Sequence, residues 1–398
     1  MNKKAITLWP LCLINIVAIV NLRSLPVMAK LGWHALIFYA IAAIGFLIPS
    51  ALCCAELSSN YKDNGGIYSW VRHGLGEIPG LLSIWLEWIN NLIALPPTLA
   101  TIVATLFIFH FNQISTQPGL LFISMIAILW FICAVNLLGI SFSARFSAIG
   151  AIIGTFIPAL ILIFGALSML YHHPQIALSH LSAAPKQILS TGQSALLVSA
   201  ISSFSGIQIC AFFANDVLDP KRTLIKSIFI SAILIFILVA GGALSIAILT
   251  PRDNINIING VIQSFASIID NHTLHGVMAL FLGLGMIACA NAWFIGPARG
   301  IMRMAEHYPA LFSLKKCNKA QAPKNILLIQ AILVSLLCLA FMAKAQLSTI
   351  FWLLIALTSQ FTALMYVLVF TSFIVLRIKN THKHTPHFKI PGPTLIAY

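Results

Sequence analysis

Long apolar runs separated by short polar segments dominate this sequence. About 20 apolar residues in a helix cross the hydrocarbon core of a bilayer, which is about 30 Å thick, so each run predicts a membrane-spanning helix. The predicted spans are 6–29, 34–56, 80–109, 119–139, 147–170, 192–214, 227–249, 275–298, 325–343 and 348–376. Two amphipathic stretches, Gly66 to Leu75 and Ile255 to Ile269, are not long or apolar enough to cross. We therefore expect an all-α polytopic membrane protein with about ten transmembrane helices.

Composition agrees with a membrane protein. Of the 398 residues, 60% are hydrophobic and only 8% are charged, whereas soluble domains carry about 25% charged residues. A net charge of +14 would suggest a nucleic-acid partner for a soluble protein. Here the sequence has neither a long basic tract nor a predicted soluble domain to carry one, so we expect no nucleic-acid partner.

The distribution of Lys and Arg predicts the orientation. With the N-terminus in the cytoplasm and spans that alternate, 18 of the 23 Lys and Arg residues lie on the cytoplasmic side and 4 lie outside. The remaining one, Arg23, lies within the first span. This bias follows the positive-inside rule, so we expect a multi-pass protein of the cell inner membrane with a cytoplasmic N-terminus.

The ten predicted spans divide into two sets of five, 6–170 and 192–376, which have opposite orientations because five is odd. The first span of each set is interrupted at the matching place, at residues 21–26 and at residues 202–206. Pro, Gly and Ser in these segments weaken a helix or remove a backbone donor. Paired interruptions of this kind indicate a five-plus-five inverted-repeat transporter fold with broken helices 1 and 6 and a site near the midplane.

Broken helices suit an amino acid for a chemical reason. Lipid cannot satisfy the peptide groups that a break exposes, so these groups face protein or a wet cavity. The N-terminus of a half-helix offers free N–H groups and a positive dipole end, which suit a carboxylate. The opposite half-helix end offers carbonyl groups, which suit an ammonium group. A zwitterionic amino acid carries both groups.

Four stretches of the chain share their residues, order and spacing with one group of transporters. They are Ala51 to Leu57 with Gly65 to Val71, Gly206 with Asn215 to Arg222, Trp293 to Gly300, and Phe388 to Gly392. By these stretches, whose order and spacing match over essentially the whole chain, the sequence resembles the amino acid–polyamine–organocation (APC) superfamily. It is most similar to the glutamate/GABA antiporter branch.

The resemblance implies alternating access and a site lined by spans one, three, six, eight and ten. Carried over by position, it implies a substrate-binding set of Arg23, Ser24, Leu25, Asn90, Asn91, Ser202, Ser203, Phe204, Gly206, Trp293 and Ser359. It also implies a gating or coupling set of Glu87, Trp88 and Gln208. Relatives place an aromatic residue at the Trp293 position, where it covers the side chain of the substrate.

Two positions in the breaks depart from the pattern of relatives. Arginine/agmatine exchangers carry a Gly-Ser-Gly type of turn in the first break, where this chain has Arg23, Ser24 and Leu25. Many relatives have Glu where this chain has Gln208, so a proton-titrating role is lost at that position.

The length also departs from the pattern, since twelve spans are usual and this chain stops at Tyr398. We predict one transporter domain over residues 1–378. Residues 379–398 are predicted to be a cytoplasmic linker and the stub of an eleventh helix.

Arg23 has two interpretations. An unpaired charge at the bilayer centre costs at least about 2.5–3.5 kcal/mol. Arg23 either lines the cavity and pairs with a carboxylate of the substrate or of Glu87, or it snorkels outward or forms a structural ion pair. In the cavity it would repel a second positive charge, which favours neutral or acidic amino acids over arginine, agmatine and polyamines.

The other candidates also have alternative interpretations. Glu87 is a proton-coupling carboxylate, a partner of Arg23, or a solvated or packing residue. Asn90, Asn91 and Gln208 contact the substrate or hydrogen-bond neighbouring helices. Trp293 lies well inside its span, unlike the Trp anchors of membrane interfaces, and this favours stacking on the substrate.

No segment resembles an enzyme active site, because the chain has no phosphate loop, no HExxH motif and no nucleophile elbow. The cysteines form no CxxC pair, and the three His residues at 382, 384 and 387 are too few for a metal site. We therefore predict no enzyme activity, no cofactor and no metal.

The leading hypothesis is an antiporter or proton-linked permease for neutral or acidic amino acids. The alternatives are a cationic amino-acid or polyamine permease and a truncated membrane protein that does not transport.

Overall fold

The computed structural model describes residues 6–61, 65–108, 117–182, 193–217, 220–256, 260–269, 271–339 and 347–379. This part of the chain is helical, apart from turns and one isolated β-bridge between Ile6 and Val217. The α-helices are α1 (Leu8–Ile19), α2 (Leu25–Ala29), α3 (His34–Ala42), α4 (Ile48–Asn60), α5 (Ile67–Leu75), α6 (Glu77–Leu106), α7 (Pro118–Leu137), α8 (Ile140–Ala151), α9 (Ile157–His172), α10 (Pro174–Ser182), α11 (Gln193–Ser202), α12 (Pro220–Leu249), α13 (Gly260–Ala266), α14 (His272–Ala305), α15 (Lys324–Cys338) and α16 (Leu347–Ile378).

The helices coincide with the predicted spans. Among the described residues, nine helical stretches are long and apolar enough to cross a membrane, and α15 is a shorter apolar helix. The predicted span 325–343 corresponds to α15, while residues 340–346 lie outside the described part. The predicted linker and stub at 379–398 also lie outside it, except for residue 379. The all-α transporter fold class is confirmed, and the short helix α10 was not predicted.

The first span is broken after α1. Val20 and Asn21 are extended, with ψ angles of 103° and 96°, and a 3-10 turn then leads into α2. The Asn21 side chain accepts a hydrogen bond from the Arg23 backbone N–H at 3.2 Å. A local side-chain contact thus replaces a lost helical bond. The predicted break at 21–26 is confirmed in place, but it starts one residue earlier and ends two residues earlier, because α2 begins at Leu25.

The second break follows α11. Residues 203–206 form a turn, and the chain continues as a 3-10 helix, Ile207–Asp216. Gly206 has a φ angle of +123°, a conformation that costs any residue with a side chain. The predicted break at 202–206 is therefore confirmed, and the glycine is required by its backbone geometry.

Two further spans contain wide π-helical turns, Ala43–Leu47 between α3 and α4 and Ile152–Phe156 between α8 and α9. Each turn ends one residue before an Ile-Pro pair, at Pro49 and Pro158. Pro has no N–H, and its ring collides with the carbonyl four residues earlier in a regular helix. A π-turn moves that carbonyl away, so the span continues across the proline.

The helices around α14 pack through small residues and a buried polar network. A Cβ on Gly154 would lie 2.1 Å from the Gly285 nitrogen, so the two helices touch through their backbones. Nearby, the Asn136 amide donates to the Asn291 side chain at 2.9 Å, and Asn291 donates to the Ser147 hydroxyl at 2.8 Å. These contacts hold α7, α8 and α14 together beside the first break.

Candidate functional site

Trp293 on α14 contacts both breaks. Its indole N–H donates to the Ala18 carbonyl at 2.8 Å. That carbonyl lies in the last turn of α1, where a helix end leaves carbonyls without helical partners. On its other side, a Cβ on Gly206 would lie 3.0 Å from the Trp293 ring and 3.1 Å from Ile19. The structure thus brings Trp293, the first break and the second break together.

A pocket with about 600 Å³ of space between protein atoms, open solvent included, adjoins the first break. Its walls come from the break, α6, the second π-turn, α13 and α14. The lining residues are Val20, Asn21, Leu22, Arg23, Thr98, Thr105, Ile108, Gly154, Thr155, Val261, Ile262, Leu282, Gly285, Met286 and Cys289. Cys289 and Trp293 lie four residues apart on α14, so the pocket ends about one helical turn from Trp293.

Arg23 lines this pocket and is held by α6. Its Nη1 donates to the Thr101 carbonyl at 2.6 Å and to the Thr105 hydroxyl. Nε and Nη2 have no hydrogen-bond partner among the described residues, and the pocket lining contains no acidic side chain. The expected pairing with Glu87 is wrong, because Glu87 lies about 21 Å before Thr101 along α6.

A chain of hydrogen bonds links the second break to α6 through α16. The Gly206 N–H donates to the Tyr366 hydroxyl at 2.9 Å, and Tyr366 donates to the Gln208 side-chain oxygen at 2.6 Å. The Gln208 amide then donates to Glu87 Oε1 at 3.2 Å. The structure therefore brings the predicted residues Glu87 and Gln208 into contact, far from Arg23.

Two of the three other predicted residues of α6 hydrogen-bond to neighbouring helices. The Asn90 amide donates to Thr362 at 3.1 Å, and the Trp88 indole donates to Gln330 at 3.0 Å. The Asn91 amide nitrogen is buried and has no partner among the described residues. Asn90 therefore matches the helix-contact interpretation, and Trp88 also bonds a neighbouring helix, whereas Asn91 is not among the residues that line the pocket.

The remaining predicted residues lie outside the pocket lining. Ser24 and Ser203 donate to nearby backbone carbonyls, and Ser202 is exposed. Leu25 and Phe204 are buried in the core, where Phe204 packs against two aromatic rings. Their side chains support the breaks, and no contact of these five with the pocket is seen.

Sequence reasoning missed Tyr366 and Thr362 and selected the exposed residue Ser359 of α16 instead. Ser359, Thr362 and Tyr366 are spaced three and four residues apart, which places them on one helix face. This spacing could have identified Thr362 and Tyr366 from the sequence. The face that it defines turns towards α6 and the second break at Thr362 and Tyr366.

Ion pairs lie at the other end of α14 from the pocket. Arg299 is 2% exposed and pairs with Asp216 at 2.6 Å, at the end of the broken sixth span. The Asp216 carbonyl also accepts from the Ile6 N–H at 3.1 Å. Glu56 on α4 pairs with Arg377 on α16 at 3.1 Å. The first and sixth spans and α14 are thus joined on this side.

Broken first and sixth spans, a pocket at the first break and four sequence motifs all point to one transporter family, and a family model named "Amino acid permease" matches residues 6–398. The chain belongs to the amino acid permease family.

Individual members of this permease family match most of the chain. An uncharacterized transporter of Legionella pneumophila is 31% identical over 99% of this chain and 86% of its own length. A glutamate/gamma-aminobutyrate antiporter of Lactococcus lactis is 27% identical over 98% of this chain and 80% of its own.

Among solved structures, the crystal structure of MhsT in complex with L-phenylalanine matches 90% of this permease and 87% of its own chain. The TM-score is 0.65 at 14% sequence identity. At this identity the match concerns the fold alone.

Proposed function

We propose that this permease is a secondary active transporter for amino acids with neutral or acidic side chains, and that it works by alternating access. The observation that supports this most directly is Arg23, a cation in the pocket at the first break without an acidic partner in the lining. Family membership supports amino-acid transport, and Arg23 supports the substrate class.

The two breaks offer the groups that bind a zwitterion. The carbonyls at the end of α1 would accept from the substrate ammonium group, and the N–H groups that start the 3-10 helix at Ile207 would donate to its carboxylate. Trp293 lies between these two ends, where its ring can cover the substrate side chain.

Arg23 would act on the side chain of the substrate. Two unit charges 4 Å apart interact by about 4 kcal/mol at an effective dielectric constant of 20. A side-chain carboxylate would therefore bind Nε and Nη2 of Arg23, which have no partner among the described residues, and a second cation would be repelled. Arginine, agmatine and polyamines are disfavoured on this ground.

In alternating access, the pocket would close and an opening would form at the opposite end of α14. Trp293 would have to release the Ala18 carbonyl, and Arg299 would have to release Asp216, for the breaks to open towards Ile6. From the distribution of Lys and Arg, we place that second end in the cytoplasm and the protein in the cell inner membrane.

The test uses the purified full chain in liposomes with radiolabelled L-glutamate and L-glutamine, which differ by a carboxylate and an amide. We expect Arg23→Ala to lose glutamate uptake by about tenfold or more, equivalent to 1.4 kcal/mol, and to change glutamine uptake less. Arg23→Lys should recover part of the glutamate uptake.

Equal loss of both substrates would count against a side-chain contact with Arg23. Uptake of arginine or putrescine that rises in Arg23→Ala would favour the cationic permease. No movement of any amino acid in a wider panel would favour the hypothesis of a membrane protein that does not transport.

A further inference from the structure

Glu87 is a buried acidic group with an unsatisfied oxygen. Glu87 is a residue of α6, and it is 1% exposed. Oε1 accepts from the Gln208 amide at 3.2 Å, whereas Oε2 has no hydrogen-bond partner among the described residues. An ionised carboxylate is very costly in such a place unless it is paired, and it therefore tends to take up a proton.

The arginine residues of the helices that pack against α6 are paired with other carboxylates in the described part of the chain. The charged groups on the helices that pack against α6 are Arg72 and His73 on α5, Arg299 and Arg303 on α14, Lys324 on α15 and Arg377 on α16. The uncharged titratable neighbours include Tyr366 on α16, Cys54 on α4 and Cys210 beside the second break. Arg303 binds Glu306, and Arg377 binds Glu56. Arg72 binds Glu77 and Arg299 binds Asp216. The contact that Glu87 makes is with a neutral amide.

The hydrogen bonds that end at Glu87 all point in one direction. The Gly206 N–H donates to Tyr366, Tyr366 donates to Gln208, and Gln208 donates to Glu87 Oε1, so in each bond the acceptor is one step closer to Glu87. A charge on Glu87 would strengthen these bonds, because hydrogen bonds to an ionised acceptor are stronger and neighbouring bonds polarise one another. The charge of Glu87 is thereby linked to a peptide group of the second break.

We propose that Glu87 is the proton-coupling group of this transporter and that H⁺ is its coupling ion, an inference that rests on the proposed transport function. In the conformation described here, Glu87 carries a proton on Oε2. When the site opens to water on one side of the membrane, that O–H bond breaks and the proton passes to water. On the other side of the membrane the bond forms again with a proton taken from water. Gln208 and Tyr366 are positioning residues that connect this step to Gly206.

The experiment measures transport and proton movement together. The full chain is reconstituted in liposomes that contain a pH-sensitive dye, and uptake of labelled L-glutamine and L-glutamate is followed with and without a pH gradient. For the wild type we expect uptake that rises when the outside is more acidic, together with acidification of the lumen. One coupled proton permits up to about tenfold accumulation per pH unit.

The variant Glu87→Gln should lose both the pH effect and the dye signal, because an amide cannot release a proton. Glu87→Asp should keep them, since it retains a carboxyl group. Glu77→Gln is the matched control, because Glu77 lies at the start of the same helix and pairs with Arg72 near the surface. It should behave like the wild type.

A second measurement covers a variant that binds but does not transport. Binding of the same labelled substrates to the purified protein is measured against pH, and we expect the pH dependence of the wild type to be absent in Glu87→Gln. A pH gradient that drives wild type and Glu87→Gln equally would overturn the proton role and leave the transport function intact. A folded Glu87→Gln variant that neither binds nor transports the amino acids would also overturn the proton role, because the amide mimics the protonated acid. A wild type that moves no amino acid would instead overturn the proposed function, and the proton role with it.

Discussion

At the scale of single residues, both breaks are stabilised by side chains that come from distant spans. The Ala18 carbonyl at the first break is bound by Trp293, and the Gly206 N–H at the second break is bound by Tyr366. Buried peptide groups need such partners, because an unpaired group costs about 1–3 kcal/mol. The same contacts that stabilise the breaks therefore have to be exchanged when a substrate enters.

Trp293 allows the contribution of its ring to be separated from that of its N–H. We expect Trp293→Phe to retain transport with a few-fold loss, because it keeps an aromatic ring and removes one hydrogen bond worth about 0.5–1.5 kcal/mol. Trp293→Ala should abolish uptake, since it removes both. Uptake by liposomes and the amount of folded protein after purification are the measurements.

The matched control is Trp130→Ala, since Trp130 is 40% exposed on α7, towards the surrounding membrane. We expect its uptake to stay close to the wild type. Normal uptake by Trp293→Ala would contradict the assignment of Trp293 to the substrate site.

At the scale of helices, two spans use the same local sequence pattern for different purposes. Gly45 and Gly154 each lie in a π-turn, three residues before Ile and four before Pro. A Cβ on Gly45 meets no atom within 4 Å, whereas a Cβ on Gly154 meets the backbone of Gly285. The π-turn thus follows from the local sequence, and the close helix contact follows from packing.

This difference predicts opposite outcomes for one substitution. Gly154→Ala should destabilise the protein by about 1–3 kcal/mol, because backbone atoms cannot move away from the added methyl group. Gly45→Ala should be neutral or slightly stabilising, because Ala restricts the unfolded chain. Thermal unfolding of the two variants in detergent, followed by fluorescence, tests this. Equal melting temperatures would contradict the close contact between α14 and the second π-turn.

At the scale of the whole molecule, the pocket and the ion pairs lie at opposite ends of α14. Arg23 lines the pocket, and Arg299 is paired with Asp216 at the other end. The distribution of Lys and Arg predicts that the pocket faces outward and the ion pairs face the cytoplasm. Two native cysteines lie on these two sides, Cys289 in the pocket and the exposed Cys317 in the loop after α14.

These cysteines allow the orientation to be measured without new mutations in the breaks. An impermeant, anionic thiol reagent should label Cys317 only in inside-out vesicles, and Cys317→Ser should remove that signal. In right-side-out vesicles the same reagent should label Cys289, and transported amino acids should slow the reaction. Labelling of Cys317 from the outside would show that the predicted orientation is inverted.

The spans, the two breaks and the charge distribution could be predicted from the sequence alone. These features depend on local properties: apolar runs long enough for a bilayer, and Pro, Gly and Ser segments that interrupt a helix. The family motifs singled out Trp293 and Gly206, and a Cβ on Gly206 would lie 3.0 Å from the Trp293 ring.

Which side chains contact one another could not be predicted from the sequence and is known only from the folded structure. Arg23 binds Thr101 and Thr105 and not Glu87, because Glu87 lies about 21 Å from Thr101 along α6. Gln208 meets Glu87 and Tyr366, although 121 and 158 residues separate them along the chain. The physical reason is that hydropathy fixes where each helix crosses, while the rotation and depth of each helix depend on its packing against the others.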